Sequence, residues 1–435
     1  MPFPVKAFST PVLFLVFARV LYAINWFNIS SVFYLILVDL EQDISMLGII
    51  TASFLVGIGL FQVPAGILAA KFNPKKIALS GIMILSIASL LSGFATELFQ
   101  MAILRFLVGV GMAFFFGPSV ILISSYLGKG SEGLGVGILN SAHSFGGIIG
   151  LFGWIVVAET VGWRASLIIG GILGVISGLL LVYEIWKYTE KGERKKNNNN
   201  GELFSHHVVT HIKDYDHQYD KADDIQQKSN FRIKFEDLKI VLFNKSIIFV
   251  GLSLLGVQIG WNLVSTFIIL YLKNDLHVGA SMAGLLGGLA MLCNVIFAPI
   301  FGRLYDGITK RRPYRNHGLL LLIVCSVVIS VNITFFSLAN IHVIIFSIIL
   351  IGIFASGGFV VPYAKAREIV KIRLHQPQYE TLAVSFVNGL SLLGAFWVPF
   401  VFSFTVIYFG YPVAWVIGGI ITLTFVIPTI KLATK

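Results

Sequence analysis

The feature that most constrains this chain is a succession of twelve apolar runs, each long enough to cross a lipid bilayer. A helix needs about 20 apolar residues to span ~30 Å of hydrocarbon. Only 12% of the residues are charged, against about a quarter in soluble domains. The sequence therefore predicts an all-α membrane protein with twelve transmembrane helices. The predicted spans are 11–38, 45–70, 76–95, 98–126, 133–158, 164–186, 246–272, 279–304, 316–338, 341–364, 380–405 and 411–431.

Lysine and arginine are distributed unequally between alternate loops. With the N-terminus in the cytoplasm and the long central loop left out of the count, 16 basic residues fall in the short cytoplasmic segments and 2, Arg164 and Lys273, in the loops of the opposite face. The positive-inside rule then places both termini in the cytoplasm. The net charge of +11 thus reflects membrane topology, and we expect no nucleic-acid partner. We predict a multi-pass monomer in the lipid bilayer of the cell membrane.

A long polar segment separates six spans from six. We predict an N-terminal six-helix bundle over residues 1–186, a cytoplasmic linker over 187–245 and a C-terminal six-helix bundle over 246–435. Four linker histidines could bind a metal, but their spacing matches no compact ligand set, which favours a solvated, mostly disordered linker. Phe and Leu alternate with charges over 231–243 and predict a short interfacial helix. The histidines are His206, His207, His211 and His217.

The two halves carry the same short patterns in the same order. Asn28 in span one and Asn262 in span seven each begin the pattern Asn-x-x-Ser-x-Phe just after a tryptophan. Asn140 in span five and Asn388 in span eleven each precede a glycine by six residues. An internal repeat of six helices predicts two pseudo-symmetric bundles.

On these patterns and three further motifs, the chain resembles the major facilitator superfamily over essentially its whole length. Residues 66–76 are similar to the family's basic loop motif between helices two and three, and 302–312 repeat it after span eight. Arg105 and the glycines after it resemble the fourth-helix motif, and residues 162–164 the entry into helix six. The resemblance implies the major facilitator fold, with substrate held between two bundles and moved by alternating access.

The same resemblance implies that the two loop motifs gate the cytoplasmic end. The first motif has Ala70 where the family normally has Asp and Asn73 where it has Gly, whereas the second contains Asp306. We therefore expect the second motif to be the dominant cytoplasmic gate. The predicted gating residues are Lys71, Lys75, Lys76, Asp306 and Arg311.

No acidic side chain falls in the middle of any predicted span, whereas Arg19, Arg105 and His143 lie inside spans. An arginine at membrane depth costs about 2.5–3.5 kcal/mol on insertion scales, so each should face a cavity or a partner. Arg105 has either a structural or gating role, as the resemblance implies, or a role in binding substrate. Arg19 either binds substrate or extends to the headgroups. His143 is either a hydrogen-bonded core histidine or the proton-coupling group, since imidazole titrates near neutral pH.

The surroundings of Arg19 point to an anionic substrate. Tyr22 and Trp26 follow it at i+3 and i+7, on the same helical face, which predicts a site for a small anion with an organic body. The resemblance implies that span seven lines the central cavity, which adds its polar and aromatic residues. The predicted substrate-binding residues are Arg19, Tyr22, Trp26, Arg105, His143, Gln258, Trp261, Asn262 and Asn388.

These observations predict a secondary transporter of a small organic anion, with some similarity to the anion–cation symporter branch and a proton as the coupling ion. Export of hydrophobic compounds is an alternative that the aromatic content supports. Gly146-Gly147 argues against it, because exporters of this family usually have Gly-Pro there. A non-transporting membrane sensor is a third possibility. We predict no enzyme, because the sequence has no nucleotide-binding loop or nucleophile elbow, and we expect no cofactor and no metal.

Overall fold

The protein is represented by a computed structural model that describes residues 9–41, 47–128, 130–199, 235–311 and 317–433. Eleven helical segments in these ranges are long and apolar enough to cross a membrane. The last of them, Pro377–Ala433, is 57 residues long and breaks at Gly410, whose φ of 79° lies outside the helical region. That break divides the segment into two parts, so the described residues form twelve segments of membrane-spanning length.

The first half contains six crossings. A π-helical turn at Ile149–Gly153 joins the helices Glu132–Ile148 and Trp154–Val161, and the two form the fifth crossing together. Asn73 caps the helix Pro74–Ser92, because its side chain accepts a hydrogen bond from the backbone N–H of Lys75 at 2.8 Å. The helices are α1 (Thr10–Asp39), α2 (Leu47–Lys71), α3 (Pro74–Ser92), α4 (Leu98–Leu127), α5 (Glu132–Ile148), α6 (Trp154–Val161) and α7 (Trp163–Asn199).

The second half repeats this arrangement after a short helix. Asn244 and Asn340 cap the helices Lys245–Asn274 and Ile341–Glu368 by accepting hydrogen bonds from backbone N–H groups of the first turn. A π-helical turn at Ile369–Arg373 extends the second of these helices. The helices are α8 (Phe235–Leu242), α9 (Lys245–Asn274), α10 (Ala280–Arg311), α11 (His317–Phe335), α12 (Ile341–Glu368), α13 (Glu380–Ala395), α14 (Val398–Thr424) and α15 (Val426–Ala433).

The two six-helix bundles meet along two pairs of helices, α5 with α10 and α2 with α13. Both crossings use glycine. A Cβ atom added to Gly133 or Gly302 would collide with the other residue's backbone, and one added to Gly66 would lie 2.8 Å from the Cα of Leu382. Small residues let helix backbones approach closely in membranes. The predicted fold of two pseudo-symmetric bundles is therefore confirmed.

The predicted spans match most helices to within a few residues, but two helices continue past the ends of the sixth and eighth predicted spans. α7 continues to Asn199, beyond the predicted end at residue 186, and α10 continues to Arg311. Lys, Glu and Arg are good helix formers, so a helix can continue past its apolar part. The start of the predicted linker is consequently helical and not disordered. A short helix, α8, occurs where we predicted an interfacial one, whereas the four linker histidines lie outside the described residues.

Candidate substrate-binding site

A cavity of about 410 Å³ lies between the two halves. The helices α2, α4, α10 and α12 all terminate at the same end of the bundle. We call this end the basic end. Lining residues far from that end, such as Thr51, Ser265 and Thr266, are exposed, whereas Arg19 and Asn388 at the deep part of the cavity are buried. The cavity therefore opens away from the basic end.

Eight of the nine predicted substrate-binding residues line this cavity. They come from α1 and α5 of the first half and from α9 and α13 of the second, so only the tertiary structure brings them together. Their location is compatible with the predicted roles, which remain predictions. The eight residues are Arg19, Tyr22, Trp26, His143, Gln258, Trp261, Asn262 and Asn388.

The Arg19 side chain lies in the protein interior and does not extend toward the membrane surface. It is 4% exposed, and its Cζ lies 4.2 Å from the ring centroid of Tyr22 and 4.9 Å from that of Phe116. Its Nε and Nη1 have no hydrogen-bond partner among the described residues. No Asp or Glu occurs among the described residues that line the cavity. Aromatic faces attract the cation but leave its N–H donors available to a ligand.

His143 lies beside Arg19 on the wall of the cavity. Its ring centroid lies 5.9 Å from that of Tyr22, 5.7 Å from that of Trp26 and 5.8 Å from that of Phe27. The buried Nδ1 has no hydrogen-bond partner within the described part of the chain. Nδ1 therefore does not make the bond expected of a hydrogen-bonded core histidine, and the role of His143 stays a prediction.

The second half contributes neutral amides to the cavity. Gln258 Nε2 donates to Asn262 Oδ1 at 2.9 Å, and the hydroxyl of Tyr363 donates to Asn388 Oδ1 at 2.7 Å. Among the described lining residues this half supplies no charged side chain. The positive charge of the site therefore comes from the first half alone.

Arg105 does not line the cavity, contrary to our prediction for it. Its Nη2 donates to Asn28 Oδ1 at 2.8 Å and lies 3.4 Å from the carbonyl oxygen of Asn25, while Ser89 Oγ donates to Asn25 Oδ1 at 2.6 Å. Asn28 follows Arg19 by nine residues, which places it on the opposite side of α1. Arg105 thus packs behind the helix that carries the candidate site and joins α4 to α1.

Hydrogen bonds join the two halves at the basic end. Both carboxylate oxygens of Asp306 accept from the start of α5, at 2.7 Å from the N–H of Gly133 and 2.8 Å from that of Leu134. A carboxylate is favourable there because a helix N-terminus carries partial positive charge and unpaired N–H groups. Asp306 of the second half is therefore attached to the first half.

Two cationic side chains of the second half make further bonds across the same interface. Lys371 Nζ donates to Glu132 Oε1 at 3.0 Å, and Arg367 Nη1 donates to Ser124 Oγ at 2.5 Å. We call these contacts, together with those of Asp306, the basic-end network. It closes the end opposite the mouth of the cavity.

The other predicted gating residues do not take part in this network. Lys71, Lys75 and Lys76 form no ion pair within the described ranges. Ala70, which stands at the position equivalent to Asp306, has no carboxylate that could accept a hydrogen bond across the interface. The side chain of Arg311 lies outside the described part. The network instead uses charges at helix ends, which sequence analysis counted only as topological signals.

The family model of the Major Facilitator Superfamily matches residues 15–258 and 250–434. The chain belongs to the major facilitator superfamily. The family that we inferred from the sequence motifs is thereby confirmed, and its members are transporters rather than enzymes.

Three curated relatives illustrate the similarity. The probable sulfoacetate transporter SauU of Cupriavidus necator is 30% identical over 157 residues, 36% of each chain. The 4-hydroxybenzoate transporter PcaK of Pseudomonas putida is 28% identical over 144 residues, 33% of this chain and 32% of the relative. The probable galactarate/D-glucarate transporter GudP of Escherichia coli is 24% identical over 335 residues, 73% of this chain and 70% of the relative. The first two matches span only about a third of each relative.

Solved structures show the same superfamily fold. The proton:xylose symporter XylE bound to 6-bromo-6-deoxy-D-glucose superposes with a TM-score of 0.67 at 15% identity, over 97% of this chain and 94% of that one. The fucose:proton symporter FucP of E. coli gives 0.60 at 14% identity, over 97% and 98%. At these identities the likeness extends to the fold alone.

Sequence analysis missed several residues that line the cavity of this superfamily member. Phe116 and Tyr363 border Arg19 and Asn388, but aromatic side chains are so frequent here that no pattern distinguishes them from core or lipid-facing residues. Asn140 and Asn294 are visible as mid-span amides. Such amides generally bond to a neighbouring helix, so their position in the sequence does not single them out.

Proposed function

We propose that the protein carries a small organic anion across the cell membrane by alternating access and that Arg19 binds the anionic group. The supporting observation is the buried guanidinium of Arg19, whose Nε and Nη1 have no partner and which has no carboxylate beside it on the described cavity wall. Uncompensated charge in a low-dielectric interior is unfavourable. A bound anion would supply the missing charge, and guanidinium can hold a carboxylate through two parallel hydrogen bonds.

Similarity to other carriers supports the same substrate class. The names of SauU, PcaK and GudP refer to a sulfonated acid, an aromatic acid and sugar diacids. These compounds differ in shape but all are organic anions. The shared chemistry is an anionic group, for which Arg19 is the matching cation.

We further propose that the basic end faces the cytoplasm and that a proton is the coupling ion. The positive-inside rule supports this orientation, in which the cavity opens to the outside and the basic-end network closes the cytoplasmic side. His143 is the candidate proton carrier because it lines the cavity beside Arg19, its Nδ1 has no partner in the described chain, and imidazole changes charge near neutral pH.

A second candidate function is export of hydrophobic compounds. Aromatic rings on both walls of the cavity favour it, including Trp26 and Phe27 from one half and Trp261 and Phe359 from the other. The buried cation argues against it, because an uncharged compound would leave Arg19 uncompensated.

The test is uptake into proteoliposomes of aromatic, hydroxylated and aliphatic carboxylates, each paired with its own uncharged amide. We expect the wild-type protein to transport carboxylates in preference to their amides. Arg19→Gln should weaken binding of the preferred carboxylate at least about 100-fold, because it removes charge-assisted hydrogen bonds. Arg19→Lys should be intermediate, since Lys keeps the charge without the planar fork.

Arg164→Gln is the matched control, because Arg164 is partly exposed and pairs with Asp39 outside the cavity. It should leave binding unchanged. If an amide or a cationic analogue is transported as well as the carboxylate, or if Arg19→Gln transports normally, the anion proposal is wrong and export of hydrophobic compounds becomes the better hypothesis.

A further inference from the structure

Two buried amide atoms without partners line the cavity where α5 crosses α10. Asn140 is 8% exposed and Asn294 is 2% exposed. The Nδ2 donor of Asn140 and the Oδ1 acceptor of Asn294 have no hydrogen-bond partner among the described residues. A buried polar group without a partner costs about 1–3 kcal/mol, so two of them on one cavity wall call for an explanation.

The packing of the two helices places these asparagines at the same level of the α5–α10 crossing. Ser141, next to Asn140, donates its hydroxyl to the carbonyl oxygen of Val295, next to Asn294, at 2.6 Å. One turn earlier in α5, a Cβ added to Gly137 would lie 2.8 Å from the Cα of Pro299. The helices are thus in close contact at this level, and each contributes one amide to the cavity.

A hydroxyl group is the simplest chemistry that matches this pair. It can accept a hydrogen bond from Asn140 Nδ2 and donate its own proton to Asn294 Oδ1. The match also holds if both amides are turned over, because the pair then still offers one donor and one acceptor and a hydroxyl both donates and accepts. An ionised carboxylate only accepts, so it would leave Asn294 Oδ1 unpaired, and an alkyl group would leave both atoms unpaired.

The charges of the cavity limit the substrate to one anionic group. Arg19 is the one Arg or Lys among the described lining residues, and the second half adds neutral amides and hydroxyls. A second carboxylate would have no permanent cation to pair with. Aromatic side chains from both halves also line the cavity, including Trp26 and the pair of Trp261 and Phe359, whose ring centroids are 5.8 Å apart. These rings fit a flat, weakly polar body.

We propose that the substrate is a hydroxylated monocarboxylate, with its carboxylate on Arg19 and a hydroxyl bridging Asn140 and Asn294. This inference rests on the proposed anion transport and adds a hydroxyl subsite to it. Because Asn140 belongs to one half and Asn294 to the other, the bound hydroxyl would also join the two bundles.

The experiment measures binding to the purified full-length protein in detergent by calorimetry at fixed pH and salt. The probes are the three isomeric hydroxybenzoates, benzoate, terephthalate and 4-hydroxybenzamide. We expect the best hydroxybenzoate isomer to bind about tenfold more tightly than benzoate, since benzoate leaves the two amide atoms unpaired. Terephthalate, which carries a second carboxylate in place of the hydroxyl, should bind no better than benzoate.

Two variants localise the hydroxyl subsite. Asn140→Leu and Asn294→Leu each remove one amide at similar volume, and each should reduce the preference for the hydroxyl, measured as the ratio of the benzoate Kd to the hydroxybenzoate Kd, to about twofold or less. Asn332→Leu is the matched control, because Asn332 is a buried amide on α11 whose Oδ1 also lacks a partner in the described chain. It should keep the full preference.

The outcomes separate this inference from the proposed function. Equal binding of benzoate and all three hydroxybenzoates by the wild-type protein, or tighter binding of terephthalate, would overturn the hydroxyl subsite and leave anion transport standing. This wild-type comparison needs no variant, so it holds even if a leucine substitution prevents folding. A hydroxyl preference that persists in both leucine variants would also overturn the subsite. Binding of 4-hydroxybenzamide as tightly as 4-hydroxybenzoate would instead overturn the anion proposal.

Discussion

Arg19 in the cavity and Arg367 at the basic end are both buried arginines, but their surroundings differ. Arg367 is 5% exposed and forms an ion pair with Glu380 at 2.9 Å in addition to its bond with Ser124. Arg19 is 4% exposed and has aromatic rings around it but no carboxylate on the described cavity wall. Two side chains of the same type and burial therefore differ in charge compensation: a carboxylate neutralises Arg367, whereas no carboxylate on the described cavity wall neutralises Arg19.

The basic end as a whole follows the pattern of Arg367. Lys365 pairs with Glu368 at 2.5 Å, and Glu368 also accepts a hydrogen bond from the hydroxyl of Tyr305 at 2.6 Å. A buried cation whose donors are satisfied by the protein holds the structure together. A buried cation with open donors is available for a ligand, which is the physical basis for assigning function to the cavity and closure to the basic end.

The largest effect expected from this comparison is on stability at the basic end. Arg367→Met should lower the free energy of unfolding by about 3–5 kcal/mol, because it leaves the buried carboxylate of Glu380 without its cation. The measurement is the melting temperature of the purified protein in detergent. Adding Glu380→Gln to Arg367→Met should restore part of the loss, since it removes the uncompensated charge.

Arg19→Met is the matched substitution in the cavity. It should leave the melting temperature of the ligand-free protein unchanged or raise it, because the empty cavity loses an uncompensated charge. It should also abolish the rise in melting temperature that a bound ligand produces by mass action. A loss of stability as large as that of Arg367→Met would show that Arg19 is a structural cation and would break the comparison.

A smaller effect is expected when the basic-end network is weakened without unpairing a cation. Asp306→Asn removes the negative charge from the N-terminus of α5, an interaction typically worth 0.3–1 kcal/mol and up to about 2. We expect it to slow transport about three- to tenfold with little change in substrate affinity, measured as initial uptake rate and calorimetric Kd. Ala70→Asp, at the equivalent position of the first half, should change the rate less. If Ala70→Asp is the more damaging, the second-half motif is not the dominant gate.

The smallest effect concerns the second titratable group of the cavity. His143→Gln should leave binding at neutral pH largely intact, because Arg19 remains. It should flatten the dependence of uptake on pH between about 5 and 8, the range in which imidazole changes charge. Uptake measured across this pH range in the variant and in the wild-type protein tests whether His143 is the proton-coupling group. An unaltered pH profile would assign proton coupling to a group other than His143.

Sequence patterns predicted most of the fold, because membrane insertion leaves few choices. Apolar runs of bilayer length located the twelve crossings, and the repeated motifs paired the two halves. Hydropathy did not predict how far a helix continues beyond its apolar part, because helix propensity determines that end. An example is α7, which continues to Asn199. The broken fifth crossing was also invisible, since Ile149–Gly153 has an ordinary apolar composition.

Part of the candidate site could likewise be predicted from the sequence, and part could not. Arg19, Tyr22 and Trp26 could be grouped from the sequence because i+3 and i+7 spacing places residues on one helical face. The same reasoning could not exclude Arg105, since its direction depends on which side of α1 packs against α4. Nor could it link Asn140 to Asn294, which lie on helices from different halves.

By itself, the sequence determined which residues lie at membrane depth, and the absence of acidic residues there defined the sign of the charge that a ligand must supply. Only the tertiary structure decided which of these polar groups are satisfied by other parts of the protein. Arg105 and Arg367 bond to neighbouring helices, although Nη1 of Arg105 has no partner among the described residues. Arg19, His143, Asn140 and Asn294 have donors or acceptors that also lack a described partner, and all four line one cavity. The physical reason is that hydrogen-bond satisfaction depends on distances between helices far apart in sequence, and no local pattern encodes those distances.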